Sequence, residues 1–157
     1  MNKNFYIFLD IDGVMNNATY FGECLKRHNI KGIMSFNRFP FDPKCLNNLM
    51  ILNQKLTNVG YKVHIILSST WRMNSIDSEI VQSRLAEYGM KFEMKTPFNG
   101  DRTKEIMEFV ANYRCVNYLV LDDANCDFLP EHFIHTSFRT GFDDKKLQES
   151  LDKVGIK

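Results

Sequence analysis

Phe5-Tyr6-Ile7-Phe8-Leu9-Asp10-Ile11-Asp12-Gly13-Val14 is the stretch that decides the fold. Five apolar residues run straight into a carboxylate, and one apolar residue later come a second carboxylate and a glycine. A short unbroken apolar run reads as a strand buried on both faces, as in a parallel sheet. Gly13 lets the chain turn sharply as it leaves that strand. Asp10 and Asp12 are thereby placed at the carboxyl end of a buried strand. In open α/β sheets ligands bind at that edge, near the point where strand order reverses. Two acids at such a spot are costly unless a metal ion or a basic side chain joins them.

Outward from this strand the chain alternates helix and strand. Met15 to Pro40 shows no clear period and reads as a long irregular segment, a flap. Asp42 caps a helix with Pro43 at its first position, and Leu46, Leu49, Met50, Leu52 and Leu56 give it an apolar face. Gly60 ends it. Lys62 to Ser69 is a second strand. A helix over about Ile76 to Tyr88 turns Ile80, Val81 and Leu85 inward and stops at Gly89. Met90 to Met94 is a short strand. Asp101 caps a helix with Ile106, Met107, Phe109 and Val110 on one face. Val116 to Leu121 is a third strong strand, ending in Asp122-Asp123. His132 to Thr136 forms a last short strand, and Asp143 to Val154 a closing helix. The alternation predicts a three-layer, Rossmann-like α/β domain over residues 1–157, with a mainly parallel sheet between helices and right-handed crossovers.

Composition narrows the classes. The chain has 157 residues, 44% hydrophobic and 25% charged, which suits one domain with a full core. A net charge of +1 points to no global attraction for nucleic acid or an anionic membrane. No apolar run approaches the ~20 residues that span a bilayer, and the first residues lack a signal-peptide cleavage site. Cys24, Cys45, Cys115 and Cys126 show no zinc or redox spacing, so reduced thiols in a cytoplasmic or nuclear setting are expected. Cys45 and Cys115 fall on helical stretches. His28, His64, His132 and His135 show no ligand spacing; His64 lines a strand and the others are read as surface.

Three strong strands end in polar residues: Asp10 and Asp12, Ser68 and Ser69, Asp122 and Asp123. In a parallel sheet those ends share one edge. Arg102 and Lys104 join them from the start of the helix before the third strand. Acids, hydroxyls and a cation on one edge suit Mg²⁺ with a phosphate, because Mg²⁺ takes one or two carboxylates, waters and a phosphate oxygen. Asp-x-Asp-Gly also opens calcium loops, but here the glycine comes too early and no closing glutamate follows.

These motifs resemble those of the haloacid dehalogenase-like (HAD) superfamily of phosphotransferases. Leu9-Asp10-Ile11-Asp12-Gly13-Val14 resembles its first motif, Leu67-Ser68-Ser69 its second, Arg102 or Lys104 its third, and Asp122-Asp123 its fourth. Ser69-Thr70-Trp71-Arg72, Arg102-Thr103-Lys104-Glu105-Ile106 and Thr140-Gly141-Phe142 resemble the branch found in RNA-repair proteins. The resemblance implies that Asp10 attacks phosphorus and forms an aspartyl-phosphate, while Asp12 acts as acid and then base. It implies a Mg²⁺ site of Asp10, Asp12 through its backbone carbonyl, Asp122 and Asp123. It makes Ser69 the phosphate-binding hydroxyl, since the branch sets that group two residues before the tryptophan, with Gly13, Ser68, Thr70 and Arg72 further substrate contacts. It selects Arg102 as the cation; Lys104, two residues on, points about 200° away around the helix. Trp71 and Arg72 have plainer readings as a core residue and a surface ion pair.

The segment from Met15 to Pro40 is too short for the separate cap domain of many superfamily members. An open site admits a polynucleotide end, a phosphoprotein or a phosphosugar. Lys26, Arg27, Lys31, Arg38 and Lys44 outnumber Glu23 and Asp42 around the flap, a balance that fits a phosphate backbone or an ordinary solvated loop. Tyr20, Phe21, Phe36, Phe39 and Phe41 stack on bases or pin the flap to the domain. The function expected is a Mg²⁺-dependent phosphomonoesterase for nucleic-acid terminal phosphates, most simply 3′-phosphates. A phosphatase of small metabolites or phosphoproteins, and a silent module that binds phosphate ends, are the alternatives.

Overall fold

The computed structural model describes residues 3–27 and 39–157. His28, Lys31, Phe36 and Arg38, and with them the middle of the expected flap, lie outside the described residues. Five strands, β1 (Asn4–Leu9), β2 (Lys62–Leu67), β3 (Phe92–Lys95), β4 (Asn117–Asp122) and β5 (Phe133–His135), form one sheet in the order β3-β2-β1-β4-β5. Every pairing is parallel. The chain moves outward from β1 through β2 to β3, then crosses to the other side of β1 for β4. Strand order therefore reverses between β1 and β4, the position at which open α/β sheets bind ligands.

Helices α1 (Ala18–Arg27), α2 (Pro43–Asn58), α3 (Ser75–Ala86), α4 (Arg102–Tyr113) and α5 (Asp144–Lys153) complete the fold. The period-2 alternation of strands sorts the core into two halves. Leu9, Leu67 and Leu121 pack with Leu49, Leu52, Val81, Leu85 and Leu151 of α2, α3 and α5. Phe8, Ile66 and Val120 pack with Ile106 and Phe109 of α4 on the opposite face. The sheet is covered on both sides, as its unbroken apolar strands require.

Asp42, Asp101 and Asp143 act as the expected N-caps, accepting from the amides of Lys44, Lys104 and Lys146. Several expectations are corrected. The segment after β1 is not wholly irregular: Asn17 accepts from the Tyr20 amide and starts α1. Tyr20, Phe21, Cys24 and Leu25 lie on one face of this helix, but only Cys24 is fully buried. It is held instead by edge-on ring contacts of Phe21 with Phe39 and of Phe39 with Phe138. β2 stops at Leu67, and Thr70–Met73 form a 3-10 turn. Ile80 and Met107 face outward, 38% and 41% exposed, because α3 and α4 are each buried along a narrower stripe than their apolar content implies. Val116 precedes β4 and is exposed, and Cys115 lies between α4 and β4 rather than on a helix. All four thiols are free. Among the described residues no helix is long and apolar enough to cross a membrane.

Candidate active site

The strand ends build the site row by row. Beyond the last paired residues, the Asp10 amide donates to the Leu121 carbonyl (3.0 Å) and the Ser68 amide to the Leu9 carbonyl (3.0 Å). The ladder thus continues one step, setting Ser68, Asp10 and Asp122 abreast at the ends of β2, β1 and β4. By strand alternation all three follow Ile66, Phe8 and Val120, the face that α4 covers. From the first turn of α4, Arg102 reaches back to both acids: Nη1 donates to Asp122 Oδ2 and lies 3.5 Å from Asp10 Oδ1.

Asp123 closes the cluster. One carboxylate oxygen from each of Asp10, Asp122 and Asp123 lies within 4.8 Å of the others, close enough to hold one metal ion. Asp10 and Asp122 are buried and Asp123 half-buried. Burial, with Asp122 alongside, pushes the Asp10 carboxyl well above the usual carboxylate range, despite Arg102 and the Ile11 amide pulling it down. Burial and Asp122 also raise Asp123. Burial alone would lower Arg102, but Asp122 and Asp10 outweigh it and raise its pKa. Three clustered carboxylates, with Asp10 and Asp123 held above the usual carboxylate range, are short of positive charge, and a divalent cation would supply it.

The turn after β1 is shaped to bring these groups together. Gly13 has φ +78°, and Asp123 packs where its side chain would be. Thr136 Oγ1 donates to the Gly13 carbonyl (2.6 Å). Asn16 holds the turn from inside, accepting from the Gly13 amide (3.0 Å) and donating to Asp12 Oδ1 (2.8 Å). Asp12 is therefore a neighbour of the trio, half-buried, with its carboxylate fixed by Asn16 rather than among the three that converge.

The family model for the HAD domain in Swiss Army Knife RNA repair proteins matches residues 6–147. The chain belongs to this family. The match takes in β1 from Tyr6 onward, the other four strands and every residue of the acid cluster of this HAD domain. Comparison with curated proteins and with solved structures finds no match.

The other expected contacts divide. Ser68 is fully buried, and its hydroxyl has no hydrogen-bond partner among the described residues. Ser69, also buried, uses its hydroxyl to accept from the Trp71 amide (3.2 Å), capping the 3-10 turn. Thr70 is exposed at the start of that turn. Lys104 is exposed on α4, apart from the acids that Arg102 meets. Arg72 is not a second phosphate contact: it is buried and bound to Glu105 and four carbonyls. Trp71 is 1% exposed, with Phe41 edge-on to it, so it cannot stack on a base. His64 lines β2 between Glu93 and Asn4. Asn16 was missed by sequence reasoning, although its place four residues after Asp12 is the spacing at which a side chain closes back on a turn. Glu105 lay inside a quoted motif without a role.

Proposed function

We propose that the HAD domain is a Mg²⁺-dependent phosphomonoesterase working through an aspartyl-phosphate on Asp10. The observation that carries this reading is the meeting of Asp10, Asp122 and Asp123 within 4.8 Å, beside Arg102, at the strand-order reversal. Asp10, Asp122 and Asp123, with the Asp12 backbone carbonyl, are the groups that would hold Mg²⁺. When bound, the ion offsets the repulsion between the Asp10 carboxylate and an anionic phosphate.

The residues then divide the work. Asp10 Oδ attacks phosphorus in line as the ester oxygen leaves. Asp12, its orientation fixed by Asn16, gives that oxygen a proton. Asp12 then takes a proton from the water that hydrolyses the aspartyl-phosphate. Arg102 neutralises charge on the flat phosphoryl group, its planar fork matching two oxygens. We assign the hydroxyl donor to Ser68, because it stands beside Asp10 with its hydroxyl unspent, and leave Ser69 as the cap.

The substrate we favour is a nucleic-acid terminal phosphate, a 3′-phosphate in the simplest case; the family's description as a domain of RNA repair proteins supports it. The same reading treats residues 1–157 as one domain in which 15–40 is a flap and not a cap domain, and places it in a reducing, intracellular setting. A second reading, a silent module that binds phosphate ends, draws on the ion pairs of Arg102 with Asp122 and Asp10, which partly compensate the acids without a metal. A phosphatase of metabolites or phosphoproteins is the other enzyme reading.

A chromogenic phosphomonoester with Mg²⁺ separates enzyme from silent module: wild type should turn over and Asp10→Asn should not, and equal rates remove the enzyme. A 3′-phosphorylated oligonucleotide, a mononucleotide and a phosphopeptide then separate the substrates. The oligonucleotide should lead by more than about tenfold in kcat/KM, ~1.4 kcal/mol of transition-state binding; a smaller lead sinks the nucleic-acid reading.

A further inference from the structure

Arg72 and Glu105 form an ion pair with both side chains only 3% exposed. The five N–H groups of Arg72 are all spent. Nε donates to the Thr96 carbonyl (3.1 Å), Nη1 to those of Ser68 (2.8 Å) and Ser69 (2.6 Å), and Nη2 to the Pro97 carbonyl (3.2 Å) and Glu105 Oε2 (2.6 Å). The other oxygen of Glu105 accepts the amides of Asn99 and Gly100, both at 3.1 Å. One buried pair therefore touches the end of β2, the exit from β3, the loop into α4 and the first turn of α4.

Glu105 sits one turn beyond Arg102 on the same helix. Its partner Arg72 is fixed to the carbonyls of the serines that follow β2. The element that aims Arg102 and the element that carries Ser68 thus share a single joint. Stability alone explains such a pair poorly, since apolar side chains of similar volume often serve a fold as well or better. Apolar side chains could not bind four carbonyls and two amides at once, which is what fixes the relative placement of these strand ends and this helix. Glu105 also neutralises Arg72, leaving Arg102 to face the acids.

We propose that Arg72 and Glu105 are positioning residues, which lock α4 to the end of β2 so that Arg102 is held against the reacting group beside Asp10. This rests on the phosphatase reading above. Neither residue touches substrate; the pair acts through Arg102.

The test compares wild type, Glu105→Gln, Arg102→Ala and the double variant, measuring kcat and KM for an aryl phosphate at saturating Mg²⁺. Glu105→Gln is expected to lower kcat on the order of 10- to 100-fold, the scale set by misplacing a catalytic group by about an ångström. KM should stay within about threefold. In the Arg102→Ala background the same change should cost less than about twofold more, because the group it positions is gone. Ile106→Val, a core trim on the same helix, should leave kcat unchanged. Losses that multiply independently, or an equal loss from Ile106→Val, overturn the proposal. If Glu105→Gln does not fold, Arg72→Lys, which keeps the charge and loses the fork, takes its place under the same criteria. If wild type is no faster than Asp10→Asn, the phosphatase reading fails by itself. The pair is then judged by calorimetric affinity for inorganic phosphate with Mg²⁺ in the same four proteins. Non-additive losses uphold it; additive losses, or no binding by wild type, overturn it.

Discussion

The Asp123 carboxylate fills the space that a side chain on Gly13 would need: a Cβ at Gly13 would fall 2.1 Å from Asp123 Oδ2. Gly13→Ala therefore does two things. It forces a left-handed backbone at φ +78° on a residue with a Cβ, costing about 1–2 kcal/mol, and it drives Asp123 out of the acid trio. Thermal denaturation should show the first effect. Calorimetry should show the second as a loss of Mg²⁺ affinity of about tenfold or more, one ligand's worth. An unchanged affinity would mean that Asp123 does not serve the metal.

Under the Mg²⁺ reading Arg102 would compete with the ion for the same oxygens, since it already bonds Asp122 and lies 3.5 Å from Asp10. Removing the guanidinium with Arg102→Met should tighten Mg²⁺ binding in the absence of phosphate, because the acids lose their resident cation. Turnover should move the other way, falling about 10²–10³-fold with the loss of a donor to transition-state charge. Weaker metal binding in this variant would argue that Arg102 organises the acids rather than competing for them.

The two adjacent serines should separate cleanly. Ser68→Ala deletes a buried hydroxyl with no protein partner among the described residues, so stability should hold while kcat falls about 100-fold or more. Ser69→Ala deletes the cap on the Trp71 amide, so it should cost about 1 kcal/mol of stability and leave kcat within a few-fold. Denaturant melts and steady-state rates on both variants decide it, and the reverse pattern would restore Ser69 as the phosphate donor.

The acid trio makes stability and metal binding depend on pH in opposite directions. Asp10 and Asp123 have folded pKa values above their ordinary carboxylate values, so at these two groups the native state binds more protons than the unfolded chain. Without metal, the contribution of these two groups to stability is therefore fully present below their ordinary carboxylate values and declines as pH rises through the raised ones. Mg²⁺ needs the deprotonated forms, so its affinity should rise over that window and its binding should release protons. Melting curves in chelator across pH, and calorimetry in two buffers of different ionisation enthalpy, check both. Asp10→Asn should flatten much of the slope; a slope that is unchanged would locate the proton elsewhere.

What could be read in the sequence was local or periodic. Strand runs, Asp42, Asp101 and Asp143 as caps, and acids at strand ends all announce themselves within a few residues. Helix α1 did not, because its apolar face is only ten residues long, is fully buried only at Cys24, and finds its ring contacts at Phe39 and Phe138. The sequence motif favoured Ser69 over Ser68; that Ser68 stands abreast of Asp10 while the Ser69 hydroxyl caps a turn depends on register with β1 and not on residue type. Arg72 looked like a surface or phosphate-binding arginine because its partner, Glu105, is 33 positions away in the chain. Charge is visible in one dimension; its compensation is not.

The direct pairing of β1 with β4 has a temporal corollary. Asp10 is made early in synthesis and Asp122 late, and the connection between their strands takes in every crossover on the near side of the sheet. A nascent polypeptide on the ribosome carries Asp10 long before it carries Arg102, Asp122 and Asp123. The acid cluster therefore assembles only when β4 slots in beside β1, after most of the chain has been made.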